Sequence, residues 1–213
     1  MGSRKHAAQQ AALARMAGVP LSQLGPQAAG ASVPAEGPAG AAPKSKSGWK
    51  RHTRLGRGLE ARLEAQHGFY EHNRLACVEK QHAPLKWIGG KPTVVGRAIV
   101  DYLGVIAGDG RAVAIEAKNP SRGLIDLLDP DEVEPHQVAF LRRWPGLGFY
   151  LLCFGEGHTA DAVLVPAARV VAAIDRAWKD QTTARWRESD ALAAGGVKLR
   201  GVDWLGGVVL LGI

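Results

Sequence analysis

Three charged residues interrupt two otherwise apolar runs. Asp101 stands near the start of the stretch 98–106, and Glu116 and Lys118 stand at the end of the stretch 111–118. Between the runs lies Ala107-Gly108-Asp109-Gly110, and Asp-Gly between alternating or apolar segments is a strong hairpin signal. Side chains alternate across a strand, so Glu116 and Lys118 share one face while Ala117 points away. In an antiparallel hairpin the start of the first strand lies beside the end of the second. The spacing therefore predicts that Asp101, Glu116 and Lys118 meet at one edge of a hydrophobic sheet.

Two carboxylates and an ammonium in one place suit phosphodiester cleavage. Paired carboxylates with water make an oxygen site for Mg²⁺ or Mn²⁺. Such an ion polarises a phosphate and lowers the pKa of a bound water, and Lys118 is placed to orient that water or to stabilise charge on the phosphorane. The same residues also fit a structural ion pair at a strand end, because acid-x-Lys is common. The aspartate on the preceding strand is what favours the metal site. Upstream, Glu60 follows Gly56-Arg57-Gly58-Leu59 at a helix start. It either completes the acidic cluster from that helix or favours the macrodipole in a first helical turn.

The elements that position these groups are legible as a pattern. A helix is predicted over 56–71, with Leu59, Leu63 and Phe69/Tyr70 on one side, followed by a strand at 75–78. The segment 81–96, with Pro84, Gly89-Gly90 and Pro92, reads as an irregular interruption of the functional kind. After the central hairpin come a helix over 132–144, strands at 148–154 and 160–165, and a helix opened by Pro166 and running to Trp178. A last strand is expected at 208–211. The order α-β-β-β-α-β-β-α predicts an α/β (α+β) fold, a mixed central sheet flanked by helices. His136-Gln137 falls in the first turn of the helix after Glu134-Pro135. Gln137 there is a candidate neighbour of the metal water or phosphate, and otherwise a capping or surface feature. Trp144, Trp178, Trp186 and Trp204 read as core or interface residues.

Composition sets the boundaries. The chain of 213 residues carries a net charge of +7, with 46% hydrophobic residues. Up to Arg57 the bases Arg4, Lys5, Arg15, Lys44, Lys46, Lys50, Arg51, Arg54 and Arg57 face the single acid Glu36, so the excess sits in a leader. Residues 1–48 are rich in Ala, Gly, Pro and Ser and bury too little to offset chain entropy, which predicts a disordered basic leader before a domain at 49–213. A basic arm is able to follow a phosphate backbone, and it is equally able to be a solvated tail. Cys77 and Cys153 read as buried free thiols of an intracellular protein. No secretory signal, long apolar span or GxxxxGK[ST] loop is apparent, so a cytoplasmic or nucleoid-associated protein with no membrane and no nucleotide cofactor is expected.

Gly58-Leu59-Glu60, Val100-Asp101-Tyr102-Leu103-Gly104, Glu116-Ala117-Lys118 and His136-Gln137 come in an order and spacing that resembles the RecU-type Holliday junction resolvases. These belong to the PD-(D/E)XK nuclease superfamily, with its restriction-endonuclease-like fold. The similarity runs from about Arg54 to Phe154, and more weakly to Gly201-Val202-Asp203. It implies a dimeric, Mg²⁺-dependent enzyme that nicks symmetric strands of a four-way DNA junction. By resemblance, Asp101 and Glu116 are metal ligands, Lys118 is the catalytic lysine, Glu60 is an additional helix-borne acid and the Ala117 carbonyl reaches the metal. The segment 81–96 resembles the family's junction-entering stalk, although it is short and lacks the usual Pro-Thr-Pro element. Lys80, Lys86, Trp87, Lys91 and Arg97, with Arg57 from the helix, are the candidate DNA contacts. Two other functions use the same features. One is a superfamily nuclease for flaps, ends or duplex sites, and the other is a non-catalytic DNA-binding recombination accessory protein.

Overall fold

The computed structural model describes the backbone of residues 47–120, 122–155 and 160–213, with side chains from residue 58 onward. Residues 1–46 of the expected leader therefore lie outside the described residues, as does the side chain of Arg57, while Ser47 and Gly48 belong to the first helix, which starts nine residues before the expected Gly56. Helix α1 (Ser47–His72) leads into β1 (Ala76–Lys80), the hairpin β2 (Leu85–Ile88) and β3 (Lys91–Val94), then β4 (Tyr102–Ile106) and β5 (Ala112–Lys118). A short β6 (Ile125–Asp126) precedes α2 (Pro135–Arg143), β7 (Leu147–Leu152), β8 (Val163–Pro166) and α3 (Ala167–Lys179). The chain closes with β9 (Arg185–Trp186), α4 (Glu188–Ala193), β10 (Val197–Lys198) and α5 (Trp204–Leu211).

Six strands form one mixed sheet in the order β1-β4-β5-β7-β8-β10. Only β5 and β7 run parallel, because α2 lies in the crossover between them. The turn 107–110 closes the β4–β5 hairpin as its Asp-Gly predicts, with positive φ at Gly108 and Gly110 and the Arg111 amide donating to Asp109 Oδ1. Gly104 explains how β1 joins the other edge of β4. A Cβ there would lie 2.2 Å from the Cys77 carbonyl oxygen and 2.7 Å from the Val78 Cα, so only glycine permits that approach.

Side-chain alternation divides the core into two layers. On one face Tyr102, Val113, Ile115, Phe149, Leu151 and Leu164 pack against Leu59, Leu63 and Tyr70 of α1 and Trp204 and Val208 of α5. On the other, Ala114, Tyr150, Leu152, Val163 and Val165 meet Val138 and Leu141 of α2 and Val170 and Ile174 of α3. Each large apolar side chain buried in these layers contributes about 1.5–3 kcal/mol. The mixed, helix-flanked sheet expected from the element order is the observed fold.

Three local expectations fail, and four short elements appear that the pattern did not predict. Residues 208–211 form part of α5, not a strand. The run Val208-Val209-Leu210-Leu211 is β-prone in isolation, but Asp203 caps the helix by accepting from the Gly206 amide at 3.1 Å, and left-handed Gly212 ends it. The segment 81–96 is regular: β2 and β3 pair antiparallel around Gly89-Gly90, both at positive φ as a two-residue hairpin turn requires. The elements β6, β9, α4 and β10 were not anticipated: strands of two residues carry no readable period, and α4 spans only six residues. Cys77 is exposed while Cys153 is buried; Cys77 sits on the edge strand β1, where no layer covers its side chain.

Candidate active site

The register of the central hairpin decides which side chains meet. Tyr102 pairs with Ile115, so one residue further on Asp101 stands opposite Glu116. Asp101 Oδ2 accepts a hydrogen bond from the Ala117 amide at 2.9 Å, which ties the bend before β4 to the end of β5. The Lys118 ammonium lies 2.7 Å from Glu116 Oε1. It donates to Gln137 Oε1, on the first turn of α2, at 3.1 Å. Asp101, Glu116, Lys118 and Gln137 thus form one contiguous cluster, at the C-terminal end of an interior strand. That is where open α/β sheets place their ligand sites.

The electrostatics of the cluster are unusual. Glu116 is completely buried, with the Lys118 ammonium 2.7 Å from Oε1 as its close counter-charge and, among the described residues, no other donor on its carboxylate oxygens. Burial drives its pKa from 4.5 up to about 8, with Lys118 opposing the rise and Asp101 adding to it. Asp101 is raised too, again chiefly by burial, against the pull of the Ala117 amide and Lys118. One ammonium beside two adjacent buried carboxyl groups leaves a charge uncompensated once both ionise, and a further cation would offset it. Two adjacent carboxyl groups with unused oxygen lone pairs fit a hard divalent cation. Among the described residues no group of three or more His, Cys, Asp or Glu side chains is arranged to hold a metal. The protein would supply Asp101, Glu116 and the neighbouring Ala117 carbonyl, leaving the other positions to water and phosphate, as suits Mg²⁺.

The remaining sequence candidates are distributed differently. Glu60 is close enough to perturb Asp101 electrostatically, but its carboxylate is half exposed and paired with Lys80 at 3.0 Å. Lys80 also pairs with Glu64 at 2.7 Å, so it serves as a bridge between α1 and β1. Arg97 pairs with Glu134 at 3.0 Å. His136 turns from the cluster, its Nε2 lying 2.8 Å from the Ala98 carbonyl oxygen. Lys86, Trp87 and Lys91 are exposed on the β2–β3 hairpin, with Trp87 75% accessible. The register places Leu85, Trp87, Pro92 and Val94 on one face of that hairpin and Lys86, Ile88, Lys91 and Thr93 on the other. A two-sided ribbon of this kind offers stacking on one face and phosphate contacts on the other. One buried neighbour of the cluster escaped the sequence reading: Tyr150, directly opposite Glu116 on β7.

The profile of the Recombination protein U family, RecU, matches residues 54–188. This covers more than half of the chain and every member of the cluster. The chain belongs to the RecU family. A comparison with curated proteins finds no match. The RecU match extends past Phe154, beyond which the readable resemblance was weaker, through β8, α3 and β9, and ends before Gly201-Val202-Asp203. It includes the hairpin 85–94 and leaves α5 outside. RecU proteins are recombination nucleases acting on DNA junctions, and DNA is accordingly the partner class of this chain. No helix among the described residues is long and apolar enough to cross a membrane.

Proposed function

We propose that this RecU-family chain is a Mg²⁺- or Mn²⁺-dependent Holliday junction resolvase that nicks symmetric strands of four-way DNA as a homodimer. The observation that carries the metal-dependent reading is the completely buried Glu116 carboxyl group, set beside Asp101 and faced by the single Lys118 ammonium at 2.7 Å. Asp101, Glu116 and the Ala117 carbonyl would hold the ion, with Glu60 reaching the site once released from Lys80. When bound, the ion supplies Lewis-acid polarisation of the phosphate and a lowered pKa for water.

The chain's own residues do the rest. Gln137 holds the Lys118 ammonium at 3.1 Å from the α2 side while Glu116 holds it from the sheet, so Lys118 enters the reaction with a fixed direction. In that position it orients the attacking water and offsets the charge that accumulates on the phosphorane. Lys86 and Lys91 meet the backbone of the junction arms, and Trp87 stacks on a base exposed at the crossover. Two sites related by a two-fold axis match the symmetry of paired cuts.

The test is substitution at the cluster. Asp101→Asn and Lys118→Ala should abolish metal-dependent nicking of a synthetic junction while retaining salt-sensitive binding to it. Nicking at the parental rate by either variant would overturn the site assignment. Binding without nicking by the parent chain, in either metal, would instead favour the accessory-protein reading.

A further inference from the structure

Tyr150 is a large, completely buried side chain in the middle of β7, and its hydroxyl has no hydrogen-bond partner. A core strand would ordinarily place phenylalanine at such a position, because a buried hydroxyl without a partner is destabilising. Its location is specific. In the parallel β5–β7 pair, Tyr150 is the register partner of Glu116. Neighbouring strands lie about 4.8 Å apart and register partners point to the same face. The face is confirmed independently, since Tyr150 packs in the α2–α3 layer with Ala114, two residues before Glu116 on β5. A hydroxyl without a partner and a carboxyl whose Oε1 faces the Lys118 ammonium at 2.7 Å thus share one register position and one dry layer.

We infer that Tyr150 is a positioning residue for Glu116: the two make no hydrogen bond in the metal-free chain, and when a cation draws the carboxylate into its ionised form the hydroxyl donates to one oxygen and leaves the other to face the metal. This rests on the reading of Asp101 and Glu116 as metal ligands. Ligating carboxylates are commonly oriented by such outer hydrogen bonds, and removing one typically weakens metal affinity or activity about 10- to 100-fold. Tyr102 supplies a built-in comparison. Its hydroxyl is likewise buried and unpartnered, but it lies on the opposite layer of the sheet, against His67 and α1.

The experiment is a titration of the metal-stripped full chain with Mg²⁺ or Mn²⁺ alone, read as a shift in unfolding temperature. The set comprises the parent, Tyr150→Phe and Tyr102→Phe. Without metal, Tyr150→Phe should unfold at or above the parental temperature, because only an unpaired hydroxyl is removed. It should then need about tenfold more metal to reach half of its shift, while Tyr102→Phe titrates like the parent. A Tyr150→Phe chain that titrates like the parent overturns the inference and leaves the metal site standing. So does one whose metal-free stability collapses, since that makes the hydroxyl a structural group. A parent chain with no metal-dependent shift removes the metal site itself, and the inference with it.

Discussion

Replacing Glu116 by glutamine separates the burden of burying its charge from the benefit of holding a cation. The folded chain keeps Glu116 protonated up to about pH 8, whereas in the unfolded chain it ionises near 4.5. Between those values the folded state holds the extra proton, so metal-free stability falls as pH rises, by up to about 1.4 kcal/mol per pH unit. The loss is complete above about pH 8. Glutamine has the same shape and no proton to lose. Parent and Glu116→Gln should therefore be similarly stable near pH 5, and by pH 8 the variant should lead by about 3–4 kcal/mol. The assay is urea unfolding in the presence of a chelator, at several pH values. Contributions from the other carboxylates largely cancel in the difference between the two chains. Adding Mg²⁺ at pH 8 should then stabilise the parent and leave the variant unmoved. Parallel stability–pH curves for the two chains would refute the reasoning, because they would mean that Glu116 carries no unusual proton.

Three further outcomes follow from the geometry. Gln137→Ala removes the α2-side support of Lys118 and should slow nicking about 10- to 100-fold with junction affinity unchanged, measured under single-turnover conditions. Trp87→Ala should leave the unfolding temperature unchanged, since the ring is exposed, and should weaken junction binding by about 1–3 kcal/mol if it stacks on a base, as a gel-shift titration would report. Gly104→Ala forces a methyl group into the Cys77 carbonyl and the Val78 backbone, and should destabilise the fold by about 1–3 kcal/mol in urea unfolding.

Much of the site was legible because it depends on local rules. The Asp-Gly turn sets the hairpin, the hairpin sets the register, and alternation then puts Glu116 and Lys118 on one face with Asp101 opposite. Gln137 was legible through its place in the first turn after Glu134-Pro135, although only the structure shows its oxygen accepting from Lys118. What escaped depends on partners distant in sequence. Lys80 reads as a free base, yet α1 presents Glu60 and Glu64 to it across sixteen to twenty residues. Tyr150 sits in an apolar run and reads as core, and only strand pairing reveals that it faces a carboxylate. At 81–96 the two prolines and the Gly-Gly pair suggested irregularity, where Gly89-Gly90 in fact makes the turn of a regular ribbon. At the C-terminus an apolar run suggested a strand, because Asp203 and Gly212 act as caps only when the intervening residues are already read as helical.

The most direct measurement of the central claim is strand-resolved cleavage of a synthetic four-way junction, with linear duplex of the same sequence as the control, each with Mg²⁺ and with chelator. A metal-dependent RecU resolvase should place paired nicks on two opposing strands of the junction, only with the metal, and leave the duplex intact. Equal cutting of junction and duplex, or cutting that persists in chelator, would contradict it.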